Sequence, residues 1–188
     1  MKKILFFMVS VWTALFSSNI NEAIVALEKS DDIYYYVRDM DDMSLRKNKE
    51  FMLAAMKLDA GTYDWVDESL RKNKEFIEAA VQYYGPALEY ADESLRKDRG
   101  VIFTAVKQDG MSLRFADESL RKDREIVLIA VKSEGLSLEY ADKSLQKDRE
   151  VVIAAVKQNR KAIKYVDRSL KKDKEVISTA VKQYPEAL

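Results

Sequence analysis

The sequence predicts an all-α fold, a right-handed-type α-solenoid of about six tandem 25-residue helical hairpins with atypical units at its ends. A Ser-Leu pair returns every 25 residues without insertion or deletion, beginning at Ser44, Ser69, Ser94, Ser119, Ser144 and Ser169. The apolar residues around each pair follow helical spacing. In every copy, Asn or Asp precedes one of the two helical segments, at the position expected of a helix N-cap.

The first helical segment of each copy is represented by "DREIVLIAVKS", from Asp123 to Ser133. Its apolar residues recur at i, i+1, i+4 and i+5, which places them on one face of a helix of about three turns. These residues are Ile126, Val127, Ala130 and Val131. The predicted N-cap column reads Asn48, Asn73, Asp98, Asp123, Asp148 and Asp173.

The second helical segment is represented by "LSLEYADKSLQK", residues 136–147. Leu138, Ala141 and Leu145 are spaced i, i+3 and i+7, which is typical of the buried stripe of a helix. The sequence therefore predicts a second helix in each copy, antiparallel to the first in a hairpin.

Glycines separate the two segments. Gly85, Gly110 and Gly135 follow the first segment, which predicts a left-handed residue at the end of each first helix. An alternative is one unbroken helix, because 25 residues is close to seven helical turns. That helix would place Asp123 and its equivalents on the apolar face and the glycines in its interior, at substantial cost. Two short helices per copy are therefore favoured.

The ends of the array are expected to differ from its middle, because each hairpin needs a neighbour to cover its apolar face. Residues 19–42 keep an Ala-Leu helix at a different spacing and are predicted to be an N-terminal capping region, with repeats over residues 43–188. In the last copy, Ser178 and Thr179 replace Ile153 and Ala154. This favours a soluble cap, and the alternative is a dimer through an open solenoid end.

Residues 1–18 are typical of a signal peptide. Two lysines precede a 13-residue apolar run, Ile4 to Phe16, and two serines follow it. Such a run spans about 20 Å as a helix, short of the ~30 Å hydrocarbon core. We therefore expect a protein exported to the periplasm or secreted, with no transmembrane span in the mature chain. The alternative is an uncleaved first helix of the fold.

Charge and residue types exclude several functions. The 32 Lys and Arg balance 32 Asp and Glu, so no net charge draws the chain toward nucleic acid or acidic membranes. The chain has no Cys and no His, which removes disulfides, thiolate nucleophiles, imidazole bases and Cys/His zinc sites. We predict that the protein is not an enzyme, with no catalytic residue, no cofactor and no metal site.

The repeated phrase resembles a known family. In Leu88 to Gln108, with small departures, it follows the pattern Leu-x-Tyr-Ala-Asp-x-Ser-Leu-(Arg/Lys)-Lys-Asp-(Arg/Lys)-Glu-Val-x-x-x-Ala-Val-Lys-Gln. This pattern is similar to the repeats of the domain of unknown function 4116 (DUF4116) family, over about Met43 to Gln183. The resemblance implies a tandem helical-repeat protein and carries over no activity, cofactor or catalytic residue. Gly100, where five copies have Glu, and Arg160, where Gly is expected, depart from the pattern.

A solenoid presents an extended surface built from variable repeat positions, so the leading hypothesis is a protein-binding or scaffold role. One variable column holds Leu58, Tyr83, Gln108, Ser133 and Gln158, and the next holds Asp59, Tyr84, Asp109, Glu134 and Asn159. Aromatic residues are favoured anchors at interfaces. The candidate partner-binding residues are Tyr83, Tyr84, Trp65 and Tyr35. Trp65 stands in an aromatic column, which favours packing between repeats, and Tyr35 is alternatively part of the packed N-terminal cap.

Two other functions are alternatives to protein binding. Arg121, Lys122 and Arg124 recur as a basic edge, which is the pattern required for binding nucleic acid or another polyanion. The Asp and Glu residues beside them favour a salt-bridged surface instead. A carboxylate pair hydrolyses glycosides without His in some enzymes, but the acids of this chain recur alike in every copy and no two stand out.

Overall fold

A computed structural model describes residues 20–182. Within that range the chain forms α-helices, 3-10 helices and turns, without a β-strand. The all-α solenoid of tandem repeats that the sequence predicts is thereby confirmed. The predicted signal peptide, residues 1–18, lies outside the described residues.

Each repeat contains one long α-helix, and these helices follow the predicted first segments. They are Lys49–Leu58, Lys74–Ala80, Arg99–Gln108, Arg124–Ser133, Arg149–Gln158 and Lys174–Lys182. The four apolar columns of these helices form the core, and Ile126, Val127, Ala130 and Val131 are all fully buried. The spacing of apolar residues therefore identified the buried face correctly.

The predicted N-caps are confirmed in all six long helices. At Asp148, for example, Oδ1 accepts hydrogen bonds from the backbone N–H of Glu150 at 3.0 Å and of Val151 at 3.1 Å. These bonds satisfy backbone donors that have no partner inside the helix.

The second segment differs from the single helix that its spacing predicts. A 3-10 helix follows each of the first five long helices, and a second short helical turn precedes each of the same five. Where both elements lie between two long helices, a break separates them. The 3-10 helices are Ala60–Trp65, Gly85–Tyr90, Gly110–Phe115, Gly135–Glu139 and Arg160–Tyr165. The second turns are Met43–Lys47, Glu68–Arg71, Glu93–Arg96, Glu118–Arg121 and Leu145–Lys147. The stripe of Leu138, Ala141 and Leu145 is nevertheless buried, as predicted.

An aspartate accounts for the break between the 3-10 helix and the second turn. The Asp142 carboxylate accepts from Ser144 N at 2.9 Å and Ser144 Oγ at 2.6 Å, a local turn that competes with a continuous helix. The backbone N–H of Asp142 then donates to the carbonyl of Arg121 in the preceding repeat at 3.0 Å. The same bond joins Asp117 to Arg96 and Asp167 to Gln146. Because the helix is interrupted here, the backbone N–H of the aspartate is free to form a main-chain hydrogen bond to the preceding repeat.

The glycines after the long helices do not adopt the left-handed conformation that the sequence predicts. No glycine of the described chain has a positive φ. Close packing explains Gly110 and Gly135 instead. A Cβ on Gly110 would lie 2.3 Å from the carbonyl oxygen of Ala130, and one on Gly135 would lie 2.4 Å from that of Ala155. Each glycine therefore lets its 3-10 helix approach the long helix of the next repeat.

The chain divides into two compact units, one ending at Ala87 and one beginning at Leu88. In the N-terminal unit, helices Ile20–Glu28 and Ile33–Asp39 cover the first repeat. The former packs against Lys49–Leu58 and the latter against Ala60–Trp65. In the C-terminal unit, the four long helices from Arg99 to Lys182 pack against one another in chain order.

Two serines inside the C-terminal unit provide a test of the packing. Ser112 and Ser137 are buried and their Oγ atoms have no hydrogen-bond partner within the described chain. Alanine stands at the equivalent positions 87 and 162. We expect Ser137→Ala to leave the free energy of unfolding unchanged or to raise it by up to about 1 kcal/mol, because a buried unpaired hydroxyl is destabilising.

Urea unfolding followed by circular dichroism measures this change. Thr62 is the control at the same column, since its Oγ1 donates to the carbonyl of Asp59 at 2.7 Å. Thr62→Val keeps the side-chain volume and removes that bond, so it is expected to lower stability by about 1 kcal/mol. A loss of similar size for Ser137→Ala would contradict the assignment of an unpaired hydroxyl.

Candidate functional site

The candidate residue Tyr35 lies on helix Ile33–Asp39, which begins at an Asp32 N-cap. The Tyr35 side chain is 49 % exposed. The guanidinium of Arg38 lies over its ring, 4.2 Å from the centroid, and the ring of Tyr34 meets it edge-on with a centroid separation of 5.6 Å. These contacts hold an exposed aromatic side chain in one orientation on the N-terminal unit.

Trp65, at the end of 3-10 helix Ala60–Trp65, is half-buried. Its ring packs against Tyr34 with a centroid separation of 5.9 Å, and the Arg46 guanidinium lies 5.2 Å from its centroid. Arg46 is itself fixed by bonds to the carbonyls of Val37 and Arg38. Trp65 therefore joins helix Ile33–Asp39 to the first repeat, and a role in binding stays a prediction.

The structure separates Tyr83 from Tyr84. Both follow helix Lys74–Ala80, and both backbone N–H groups donate to the Ala80 carbonyl, at 3.0 and 2.9 Å. The Tyr84 ring packs against the buried Tyr63, with centroids 5.7 Å apart, whereas the Tyr83 side chain is 48 % exposed. Of the two, Tyr83 is the side chain positioned to meet another molecule.

Leu58 is a further exposed apolar side chain and is not among the partner-binding residues that the sequence predicts. It ends helix Lys49–Leu58 at the position equivalent to Tyr83 in the next repeat, and it is 49 % exposed. The residue types in the variable column that contains Leu58 and Tyr83 could have indicated this site from the sequence. In the C-terminal unit that column holds Gln108, Ser133 and Gln158, which are polar, while in the N-terminal unit both members are large and apolar. We refer to Leu58 and Tyr83 as the apolar pair.

The second variable column is largely structural. The side chains of Asp59, Asp109 and Asn159 accept from backbone N–H groups two residues later, at 2.8, 2.9 and 3.0 Å. Each thereby caps the 3-10 helix that follows a long helix. Variation among Asp, Asn and Glu here is explained by capping, since each offers an acceptor oxygen.

Two of the three cations of the recurring basic edge, Lys122 and Arg124, are paired with carboxylates. Lys122 Nζ lies 2.7 Å from Glu118 Oε1 within one repeat. Arg124 reaches the next repeat, where its Nε lies 2.8 Å from Asp148 Oδ2 and its Nη2 2.5 Å from Glu150 Oε2. Arg121 lines an open cleft of ≈ 350 Å³ between successive repeats. Paired cations offer less to a polyanion than the sequence pattern suggests.

These ion pairs form a ladder along the C-terminal unit, which inspection of single repeats does not predict. Arg99 bonds Asp123 and Glu125, Arg124 bonds Asp148 and Glu150, and Arg149 bonds Asp173 and Glu175. The hydrogen bond from Arg124 holds the pKa of the Asp148 carboxyl below its usual value, against the effect of partial burial. The signal was a charge pattern at offsets of 24 and 26 residues, which aligning adjacent repeats reveals.

No helix within residues 20–182 combines the length and the apolar character that crossing a bilayer requires. In the same range, no group of three or more Asp or Glu side chains is arranged to hold a metal ion.

Together, the stacked long helices, the ion-pair ladder and a surface that varies at equivalent positions define a tandem helical-repeat protein. The sequence profile of the family described as Domain of unknown function (DUF4116) matches residues 48–96, 73–121, 98–146 and 148–188. The chain belongs to this family, as the resemblance of its repeats predicted. Comparison with curated proteins and with solved structures found no significant match.

Proposed function

We propose that the chain is a non-enzymatic protein-binding or scaffold module, exported by its N-terminal segment, whose N-terminal unit holds a partner through Leu58 and Tyr83. The observation that carries this proposal is the exposure of the apolar pair at equivalent positions of successive repeats, where the C-terminal unit has polar residues. Burying a large apolar side chain in an interface contributes about 1.5–3 kcal/mol. Leu58 and Tyr83 give the N-terminal unit two such side chains, one in each of two successive repeats.

Tyr35 is a second contact in this proposal. Its ring is exposed, yet Tyr34 and Arg38 restrain it, so little side-chain entropy is lost when a partner covers it. The Arg38 guanidinium also bonds the Asp39 carboxylate at 2.7 Å. This arrangement favours a partner surface with an apolar patch rather than one that supplies a carboxylate for Arg38.

The recurrence of the carboxylates supports a role other than catalysis. Hydrogen bonds from the serine two residues later hold the pKa values of Asp67, Asp117 and Asp142 below the usual range. A catalytic acid or base is a single group set apart by its surroundings. Here the same serine contact and the same direction of pKa shift return in four repeats, since Asp167 follows the same pattern, as expected of turn and cap residues.

Exchanging the apolar pair for the residue of its own column tests the proposal. Gln occupies this column at positions 108 and 158, so Leu58→Gln with Tyr83→Gln is compatible with the helix ends. With the full chain as bait, we expect quantitative mass spectrometry to show about a tenfold lower recovery of the partner. Tyr84 is left unchanged, because its packing on Tyr63 means that replacing it alters the fold as well as the surface.

Tyr90→Gln is the matched control, since Tyr90 is an exposed aromatic residue in the C-terminal unit. It should leave recovery of the partner unchanged, and all variants should keep the circular dichroism spectrum of the parent chain. Recovery of the same proteins in the same amounts with the Leu58 and Tyr83 double variant would show that the apolar pair does not bind them.

A further inference from the structure

The last long helix, Lys174–Lys182, leaves two apolar side chains uncovered. Ile177 and Val181 are 45 % and 44 % exposed. The equivalent residues in the three preceding long helices are fully buried. They are Ile102, Val106, Val127, Val131, Val152 and Val156. Val176, beside Ile177, is also fully buried, so exposure is confined to the side that a following repeat covers elsewhere in the C-terminal unit.

The same side of the helix presents a cation at the position equivalent to the arginines of the ion-pair ladder. Lys174 stands in the column of Arg99, Arg124 and Arg149, each of which pairs with two carboxylates of the next repeat. Lys174 is exposed, and within residues 20–182 it has no ion pair or hydrogen bond from its ammonium group. The helix therefore repeats both components by which one repeat holds the next, which are two apolar side chains and a cation.

We propose that this outer face, formed by Ile177, Val181 and Lys174, docks an amphipathic helix of another protein that carries two carboxylates at its N-terminal end. The docked helix takes the place that a following repeat takes elsewhere in the unit. Its N-cap aspartate and a glutamate two residues later pair with Lys174, and its apolar residues cover Ile177 and Val181. This surface is separate from Leu58 and Tyr83, so either proposal stands without the other.

Charge complementarity favours such a partner over a second copy of this chain. Helix Ile20–Glu28, the first described element, has an exposed Val25 but only one acidic residue in its first turn, Glu22. Residues 183–188 are also a poor match in sequence register. They align with residues 158–163 of the preceding repeat, which end one long helix and enter a 3-10 helix and do not begin a new long helix.

A synthetic peptide with the sequence of residues 141–165 is a suitable probe. It contains Asp148 and Glu150, followed by the apolar residues of one long helix. Titrated into the full chain, it is expected to shift the methyl NMR signals of Ile177 and Val181 with a saturable dependence and a Kd below about 1 mM. Replacing both residues by serine should weaken binding by at least about tenfold.

Exchanging the charges of the two partners distinguishes specific docking of the peptide from nonspecific binding. Lys174→Glu should weaken binding of the peptide by about fivefold, because it replaces an attractive ion pair with a repulsive one. A peptide with Lys at the positions of Asp148 and Glu150 should recover affinity for that variant. Ser178→Ala is the control, since Ser178 is exposed beside Ile177 and its hydroxyl donates to the Glu175 carbonyl of the same helix.

Four results would overturn the proposal. The first is no saturable shift of the Ile177 and Val181 signals at about 1 mM peptide. The second is binding that charge reversal does not change. The third is binding only after removal of residues 183–188, which would make that segment the occupant. The fourth is a shift of the same signals when the chain alone is concentrated, which would make a second copy the occupant.

Discussion

Replacing Gly110 with alanine is expected to lower the free energy of unfolding by about 2–3 kcal/mol, as overpacking at a rigid contact does. The new Cβ would lie 2.3 Å from the Ala130 carbonyl oxygen and 2.9 Å from Glu134 N. Those two atoms are joined by a hydrogen bond of 2.8 Å at the end of helix Arg124–Ser133. Because both are main-chain atoms, neither moves without disturbing the helix or its contact with the preceding repeat.

Urea unfolding of the full chain, followed by circular dichroism, measures the effect. Gly61→Ala is the matched control, because its Cβ would lie 3.1 Å from Asp59 Oδ1 and 3.4 Å from Tyr34 Cδ2, which are side-chain atoms. Rotation of those side chains relieves the contact, so we expect a loss below about 1 kcal/mol. Equal losses for the two variants would show that close repeat packing does not explain Gly110.

The sequence predicted the long helices and their buried columns well, because the responsible forces are local. The apolar face of Arg124–Ser133 follows from the positions of four residues along one helix, and its start follows from the acceptor oxygen of Asp123. No distant contact is needed for either inference. The repeats strengthen the prediction of the buried face and of the helix start, since the same residue types recur at each 25-residue interval.

The remaining features of the fold depend on neighbouring repeats. Gly135 has no unusual φ, and its role depends on Ala155, which lies 20 residues later and approaches only in the folded stack. The helical spacing of Leu138 and Leu145 was correct for burial but did not reveal the break between them. That break depends on Asp142, whose side chain bonds Ser144 while its N–H reaches the preceding repeat.

The candidate site was predictable only in part. The sequence does not distinguish Tyr83 from Tyr84. The two residues are adjacent after the end of a helix, where the direction of each side chain depends on the turn that follows. The structure turns Tyr84 onto Tyr63 and leaves Tyr83 outside. Leu58 was visible in the same column as Tyr83, but a lone exposed leucine gives no signal until its neighbour is seen to be exposed as well.

Asp148 carries two separable contributions to stability. Its Oδ1 caps helix Arg149–Gln158, and its Oδ2 accepts from Arg124 of the preceding repeat at 2.8 Å. Asp148→Ala removes both and is expected to cost about 1–2 kcal/mol, as loss of an N-cap does. Asp148→Asn keeps the cap, as Asn48 and Asn73 do in the first two repeats, and removes the ion pair. We therefore expect a smaller loss for asparagine, measured by urea unfolding at pH 7.

The pH dependence distinguishes the ion pair from the cap. Arg124 lowers the pKa of Asp148 in the folded chain, so the stabilisation is present above the pKa of an unfolded aspartate, about 3.9. It is lost as the pH falls through the lower, folded value. The stability difference between the parent chain and Asp148→Asn should therefore shrink between pH 7 and about pH 3.

Asp109→Asn is the control, because Asp109 caps a 3-10 helix and Asn159 already fills its column. A difference for Asp148→Asn that stays constant with pH would mean that the Arg124 contact contributes nothing to holding the repeats together.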